Sequence, residues 1–404
     1  MPFIQDKIFK LKGKVQHYAW GGFDYIPGWL HQENSSHQPF AEYWMGAHPS
    51  ASSTIATRNG ELNLQHLIKD YPVDFLGEKV VQQFGELPYL FKILDVREML
   101  SIQVHPSKAE AVKGFEAEEA AGVPMSCAHR NYKDKNHKPE VMVALSEFWL
   151  LHGFKQPDAL RAVLQSVPAF QQFLPLFEQQ GYKGLYRHVM QLPQHEVNEL
   201  LAPLVQLEIQ HKQAGDITKQ QPGWWVAKLF EPDGFTGEEI DRGVFSVYFF
   251  NIVQLHPGEA VFQGEGVPHA YLEGQNVELM ANSDNVLRGG LTPKHIDVPE
   301  LLKHTKFEGN TPEVLQGQAF TTGEKNYPCP VPDFGIVQIA LQEGQSFTAS
   351  SASLEIIVVI EGELLVEGRN AVTARKGEAV AVLANENYKV STASSLLAYK
   401  AFVP

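Results

Sequence analysis

The amino-acid sequence predicts a mainly β fold with a helical insertion, that is, two small β-barrels plus an α-helical domain. Short apolar runs broken by Gly, Pro and Asn fill residues 1–154 and predict strands. Helical periodicity replaces this pattern over 155–242, and strand patterns return over 243–324. The last segment, 325–404, is a run of short strands joined by EG and KGE turns, which is typical of a small all-β lobe.

Residues 1–154 combine strand-like runs with helical pieces between them. The helical pieces include LNLQHLIKDYPVDFLG, and the strand-like runs include EYWMGAHPSASSTI, LPYLFKILDV and HKPEVMVALSEFWLLHGF. We interpret this segment as the first part of a barrel that residues 243–324 complete.

The segment 155–242 shows the spacing of amphipathic helices. ALRAVLQSVPAFQQFLPLFEQQ and HEVNELLAPLVQLEIQHKQ place apolar residues at i, i+3 and i+4, so that one face of each helix is apolar. We therefore expect a mostly helical unit inserted between two strand-rich parts of the chain.

Strand patterns return with VFSVYFFNIVQLHPGEAVFQ, which predicts a buried strand pair joined by the turn HPGE. A short internal repeat follows, because GEAVFQGEGVPH (258–269) and GEAVAVLANENY (377–388) share their first four residues. The repeat makes two related β-barrels plausible. Tyr388 stands where the first copy has His269, so we expect the barrel formed by 325–404 to hold no metal.

Composition narrows the possible partners. The chain has 404 residues and a formal charge of −14, which argues against nucleic-acid and membrane-surface partners, since both favour basic faces. The two cysteines, Cys127 and Cys329, form no CxxC pattern and predict neither a disulfide framework nor a thiolate metal site. No apolar run is long enough to span a membrane, and the first residues do not resemble a signal peptide. We expect a cytoplasmic monomer.

Four residues in three stretches form a candidate metal site. In LSIQVHPSK (100–108), Gln103 and His105 share one strand face because strand side chains alternate. Glu140 lies in NHKPE just before an apolar strand, and His269 follows a Gly-rich turn. Two imidazoles and a carboxylate are ordinary ligands of a divalent metal such as zinc, and the Gln103 amide oxygen could be the fourth ligand.

These stretches resemble the cupin pattern, and in particular the type I phosphomannose isomerase family. The motifs that carry the resemblance are LSIQVHPSK, NHKPE, HAYLEG and SDNVLRGGLTPK, in this order along the chain. The chain departs from the common wording of the family in NVELM (276–280), where many members carry a Cys, and in the Gly-Gly after Arg288. The resemblance implies two cupin-like jelly-roll barrels plus an α-helical domain, with one Zn²⁺ per chain in the first barrel.

The resemblance also implies an activity, namely the interconversion of mannose 6-phosphate and fructose 6-phosphate by a zinc-dependent aldose–ketose isomerase through an enediol or enediolate. It points to Arg288 as the catalytic cation, since a guanidinium suits a developing enediolate. Lys138 and His137 are the candidate proton carriers, and Asp284 could orient Arg288 or His137.

A phosphorylated hexose also needs an anchor for its phosphate. The candidates are Ser101, Lys92 and Lys294, since lysine is a common phosphate partner, and Lys108 flanks the same region. Glu278 follows His269 on the same predicted strand, and its role stays open.

Two other functions are compatible with these residues. One is a cupin metallo-oxygenase that holds iron, although its sites usually use more imidazoles than this set offers. The other is a non-catalytic cupin that senses a sugar phosphate, against which the presence of Arg288 and Lys138 argues.

Overall fold

A computed structural model describes residues 5–58, 60–231 and 235–404. The described chain is rich in β-sheet, as predicted, and its two longest helices lie between the two strand-rich parts of the sequence. None of the described helices is both long and apolar enough to cross a membrane.

The strands before the helical segment are β1 (Ile8–Lys12), β2 (Lys14–Gln16), β3 (Glu42–Gly46), β4 (Thr54–Thr57), β5 (Gly60–Asn63), β6 (Tyr89–Val96), β7 (Gln103–Val104), β8 (Glu140–Ala144) and β9 (Phe148–Phe154). The strands after it are β10 (Phe250–Leu255), β11 (Ala260–Gln263), β12 (His269–Ala281), β13 (Leu287–Arg288), β14 (Gln318–Ala319), β15 (Glu324–Tyr327), β16 (Gly335–Leu341), β17 (Ser346–Ser351), β18 (Glu355–Glu361), β19 (Glu363–Glu367), β20 (Ala371–Arg375), β21 (Ala379–Val382), β22 (Glu386–Ser391) and β23 (Leu396–Phe402). The helices are α1 (Tyr25–Trp29), α2 (Leu64–Asp70), α3 (Pro72–Gln83), α4 (Lys108–Ala120), α5 (Pro157–Ser166), α6 (Leu174–Gln191), α7 (Gln194–Ala214), α8 (Pro222–Phe230), α9 (Gly243–Phe249) and α10 (Val298–His304), with a 3-10 helix at Pro168–Phe173.

A ten-stranded sheet carries the predicted site motifs. Its main path is β10-β9-β12-β6-β3-β2, and β7, β8, β11 and β13 join it at the side. The 13-residue strand β12 is the organising element, since it pairs with β6, β7, β8 and β9. All of its pairings are antiparallel. Because four strands from distant parts of the chain pair with β12, the motifs that they carry lie close together along it.

A nine-stranded sheet combines both ends of the chain, in the order β14-β15-β16-β23-β18-β21-β1-β4-β5. The N-terminal strand β1 pairs with β21, for example Ile8 with Val382. Sheet membership therefore does not follow the predicted boundary between 324 and 325. The apolar sides of the two large sheets share one core, in which Val141 and Val277 pack with Ile356 and Ala381. A smaller sheet, β17-β22-β19-β20, lies in the C-terminal part.

The predicted strand pair after residue 243 is wrong in two respects. Residues 243–249 form α9, and the strand begins only at Phe250. All seven residues of this helix are buried, so the apolar run has no polar face from which a helix could be recognised. The HPGE turn exists, since Glu259 N–H donates to His256 O, but β10 pairs with β9 and β11 pairs with β8.

The helical segment is confirmed as a set of amphipathic helices, α5 to α8. Its buried faces share a core with Ile102, Val104 and Leu287, the residues that flank Gln103 and Arg288 in the sequence. The helices therefore pack directly against the two short strands, β7 and β13, that carry predicted site residues.

Candidate metal centre

A row of side chains crosses four neighbouring strands at one end of β12. Arg288 on β13 pairs with Gln103 on β7, and Gln103 pairs with His269 on β12. On its other side, His269 pairs with His152 on β9. Directly opposed residues of antiparallel strands project to the same face, so the register brings three predicted site residues together. His152 was not predicted, because its stretch, FWLLHGF, reads only as a buried strand.

His105, Glu140 and His269 form a buried cluster whose potential ligand atoms all lie within 4.8 Å of one another. His105 Nε2 is 3.4 Å from Glu140 Oε1, and His269 Nε2 is 3.2 Å from Glu140 Oε2. Gln103 lines the same pocket. Within the described ranges, this is the cluster of histidine and carboxylate side chains that has the composition of a metal site.

The hydrogen bonds of the two imidazoles leave their Nε2 atoms available to a metal. His105 Nδ1 lies 2.9 Å from Asn285 O, and His269 Nδ1 lies 2.9 Å from Val267 O. A carbonyl oxygen only accepts, so each Nδ1 carries the hydrogen and each Nε2 turns its lone pair toward Glu140. His105 Nε2 is buried and has no hydrogen-bond partner among the described residues. A cation at this point would satisfy it, so these residues fit zinc.

Burial and charge set the protonation states of these ligands. Burial lowers the pKa of His105 to about 4, which leaves the imidazole neutral at pH 7. Burial alone would raise the pKa of Glu140, but the charge of the nearby Lys138 ammonium holds this pKa below its ordinary value. A neutral imidazole and an ionised carboxylate are the forms that bind a metal.

Lys92 lies on the floor of the pocket between two carboxylates. Its Nζ is 3.0 Å from Glu278 Oε2 and 3.4 Å from Glu42 Oε2, and all three side chains are buried. Tyr271 Oη donates to Glu278 Oε1 at 2.8 Å. Lys92, which was predicted to bind phosphate, is thus already paired with carboxylates. Glu278, whose role the sequence left open, is one of its two partners. Neither Glu42 nor Tyr271 was predicted: Glu42 belongs to a strand without a recognisable motif, and Tyr271 lies in the HAYLEG motif but was assigned no role.

The two predicted proton carriers point in different directions. Lys138 Nζ lies 3.1 Å from Glu140 Oε1, inside the pocket. His137 points away, and its Nε2 lies 3.0 Å from both carboxylate oxygens of Asp333. Successive residues of an extended chain project to opposite sides, so the structure brings Lys138 into the site and leaves His137 outside it.

Asp284 has a partner other than the two that we expected. Its carboxylate lies 3.3 Å from His48 Nε2, rather than beside Arg288 or His137. The hydrogen bond with His48 lowers the pKa of Asp284. The ring of His48 lies edge-on to Trp44, with the ring centres 4.9 Å apart. The pairing therefore connects the SDN turn to β3.

The remaining predicted residues, Arg288, Lys294, Ser101 and Lys108, are not among the described residues that line the pocket. Burial lowers the pKa of Arg288 and of Lys294, and the charge of Arg288 lowers the pKa of Lys294 further. No carboxylate of the described residues pairs with either cation. Ser101 is half-buried in the loop before β7, and the exposed Lys108 donates to Asn136 Oδ1 at 2.9 Å.

Several groups of known proteins are similar to this chain. A model of the phosphomannose isomerase type I catalytic domain matches residues 8–157. Mannose-6-phosphate isomerase of Escherichia coli (strain K12) is 40% identical over 388 residues, which cover 94% of this chain and 95% of the relative. The enzyme of Bos taurus is 33% identical and covers 98% of each chain.

Solved structures show the same similarity. Mannose 6-phosphate isomerase from Salmonella typhimurium, bound to fructose 6-phosphate and zinc, superposes with a TM-score of 0.85 at 34% identity. The alignment covers 98% of this chain and 100% of that structure. A zinc-bound holo structure of mannose 6-phosphate isomerase gives a TM-score of 0.86 at 34% identity, with the same coverage of both chains.

Proposed function

The chain belongs to the type I phosphomannose isomerase family, and we propose that His105, Glu140 and His269, with Gln103, hold its zinc ion. The protein is a zinc-dependent isomerase that interconverts mannose 6-phosphate and fructose 6-phosphate. The observation that carries the site assignment is the convergence of two Nε2 lone pairs on one buried carboxylate.

The reaction removes a proton from C1 or C2 of the open-chain sugar and returns it to the other carbon, and the enediolate intermediate between the two steps carries negative charge. Zinc, when bound, supplies a Lewis acid beside the sugar oxygens. We assign the proton transfer to Lys138, because its Nζ reaches the pocket beside Glu140. The neutral amine would take the proton from one carbon, and the resulting ammonium would return it to the other. His137 contacts Asp333 instead and is not assigned this role.

Arg288 is the cation that we assign to the developing enediolate. It lies one strand away from Gln103 in the row along β13, β7 and β12. A guanidinium stays charged throughout the reaction and donates several hydrogen bonds from a fixed plane. Because no carboxylate of the described residues neutralises Arg288, its charge is available to the substrate.

The phosphate is proposed to bind near Lys294 and Ser101, with the exposed Lys108 as a further candidate. Lys294 is close enough to Arg288 for the guanidinium to lower its pKa, so the two residues form a local positive region on an acidic protein. An anion would relieve the repulsion between them. Lys92, by contrast, has its charge matched by Glu42 and Glu278, and we propose that it keeps the pocket floor in place.

The proposed domain layout has two cupin-like barrels around a helical domain, with the predicted ranges 1–154, 155–242, 243–324 and 325–404. The sequence repeat supports it, since the GEAV copies lead into matching strands, β11 (Ala260–Gln263) and β21 (Ala379–Val382). His269 and Tyr388 then lie on the next strands, β12 and β22. The monomeric state and the cytoplasmic location stay predictions.

A coupled assay with mannose 6-phosphate tests the proposed site. Conversion should stop when a chelator removes the metal and should return when zinc is added. Full turnover by demonstrably zinc-free protein would contradict the site assignment. Oxygen consumption measured in the same samples tests the metallo-oxygenase, and substrate binding without turnover would indicate a sensor; neither is favoured by the family.

A further inference from the structure

Asp241, which lies between α8 and α9 at the end of the helical segment, binds the chain that follows Arg288. Its Oδ1 accepts the N–H groups of Gly243 and Leu291 at 2.6 and 2.7 Å, and its Oδ2 accepts that of Thr292 at 2.9 Å. One carboxylate thus satisfies three backbone donors, two of which belong to the loop after β13. We call this arrangement the Asp241 clasp.

The clasp requires a close approach of two backbone segments. A Cβ atom on Gly290 would lie 2.5 Å from the Cα atom of Gly243, so a side chain cannot be placed there without moving one of the segments. Gly290 has φ of +125° and Leu291 has φ of +54°, a conformation that costs energy for leucine. Hydrogen bonds from the Leu291 and Thr292 amides to Asp241 hold the loop in this conformation.

The two chain neighbours of Asp241 are anchored to α7 and to the turn before it. Ile240 N–H donates to Asn198 Oδ1 at 3.1 Å, and Arg242 Nη2 donates to Leu192 O at 2.6 Å. The carboxylate therefore has a position that α7 and the turn before it determine. The helical segment is connected through this residue to the loop of the active site.

Arg288 lies on the other side of the loop, on a strand of only two residues. Besides its pairing with Gln103, this strand is continued by Gly289 N–H to Ile102 O at 2.8 Å and by Ile102 N–H to Gly290 O at 3.0 Å. No other carboxylate among the described residues accepts from the amides of Leu291 or Thr292. The register of Arg288 against Gln103 thus depends on what fixes the next few residues.

We propose that Asp241 is a positioning residue for Arg288, through which the helical segment sets the place of the catalytic cation. This inference rests on the proposed role of Arg288. In Asp241→Asn, one acceptor oxygen becomes a donor that faces a backbone N–H, so the loop must move. A displacement of about 1 Å can cost roughly 10²-fold in rate, and we expect a fall of about 10- to 100-fold in kcat with full zinc content.

A double-mutant cycle separates positioning from a general structural effect. We expect Asp241→Asn to lower kcat strongly in the wild-type background and by less than about twofold in the Arg288→Ala background. Equal factors in the two backgrounds would overturn the proposal, because Asp241 would then act independently of Arg288. The matched control is Asp158→Asn, which removes an exposed carboxylate from α5 and should leave kcat unchanged.

A second variant covers the case in which Asp241→Asn does not fold. Asp241→Glu keeps the charge and both oxygens but moves them by one methylene, and it should lower kcat while retaining zinc and the wild-type melting temperature. If both variants lose zinc or unfold, Asp241 supports the fold only and the proposal is wrong. If Arg288→Ala has the same kcat as the wild type, the proposed role of Arg288 is wrong. This result is distinguishable from the failure of the Asp241 proposal, because it does not involve any Asp241 variant.

Discussion

Two buried lysines, one in each strand-rich part of the molecule, have closely similar surroundings. Lys92 contacts Glu278 at 3.0 Å, and Lys400 contacts Glu324 at 3.0 Å. Each lysine also lies over an aromatic ring, with Nζ 5.2 Å from the centre of Trp44 for Lys92 and 5.9 Å from that of Phe347 for Lys400. A tyrosine donates to a glutamate in both places, Tyr271 to Glu278 and Tyr388 to Glu355.

The two clusters differ in what lies beside them. Next to Lys92 are His105, Glu140 and His269, whereas residues 325–404 contain no histidine at all. Both parts of the molecule contain a buried lysine that pairs with a glutamate, with or without a metal site beside it. The imidazoles, with the unsatisfied Nε2 of His105, are what adds a metal site to one of them. A buried ion pair alone therefore does not indicate catalysis.

The largest effect should come from His269→Ala. This variant removes one of two imidazole ligands, so zinc affinity should fall by more than the ~10- to 100-fold typical of groups that only support a ligand, and activity should fall with it. Zinc content per chain and turnover are the measurements. The control is Tyr388→Ala at the matching position of the repeat, which should keep its zinc. Stoichiometric zinc in His269→Ala would remove His269 from the ligand set.

The two lysines provide the next test. Lys92→Met and Lys400→Met each leave buried carboxylates without their partner, and each should reduce the free energy of unfolding by about 3–5 kcal/mol. Denaturant unfolding measures this loss. Only Lys92→Met should also lower kcat when the comparison is made on folded, zinc-loaded protein. An equal loss of kcat in Lys400→Met would show that the C-terminal cluster takes part in catalysis.

Acid should destabilise the two parts unequally in the metal-free protein. Burial lowers the pKa of His105 and of His152 to about 4, below the ordinary value of about 6.5. As pH falls, the unfolded chain binds these protons before the folded chain does. The free energy of unfolding is therefore highest above about pH 6.5 and falls progressively toward pH 4, by up to about 3 kcal/mol per histidine.

Hydrogen exchange at pH 7 and pH 5 locates this effect. Amides of β9 and β12 should exchange faster at pH 5, after correction for the intrinsic rate, than those of β16 and β23. Residues 325–404 have no histidine to protonate, so their protection should change less. Equal loss of protection in both sets of strands would argue against the histidines as the cause.

The smallest effects should come from the tyrosines. Tyr271→Phe and Tyr388→Phe each remove one hydrogen bond to a glutamate, and each should cost roughly 1.5–3 kcal/mol if that glutamate is ionised. Thermal unfolding checks the loss. Tyr271→Phe should in addition change kcat, since Tyr271 lines the metal pocket. An unchanged kcat in Tyr271→Phe would show that the hydrogen bond from Tyr271 to Glu278 stabilises the fold without affecting turnover.

The candidate ligands and the type of each large segment were predictable from local patterns of residues. Gln103 and His105 were recognisable because strand alternation places residues two apart on one face, and this relation is local. The amphipathic helices of 155–242 were recognisable for the same reason, since their periodicity appears within a few turns. The repeat, in which Tyr388 replaces His269, also needs only the order of residues.

Contacts between residues far apart in the chain were seen only in the folded structure. Asp333 pairs with His137, Asp241 holds the amides of Leu291 and Thr292, and Glu42 faces Lys92. In the folded structure β1 also pairs with β21, and residues 243–249 form a helix. Strand pairing and buried ion pairs form between segments far apart in the chain, and their free energy depends on the neighbours that folding supplies. A local pattern of residues carries no information about those neighbours.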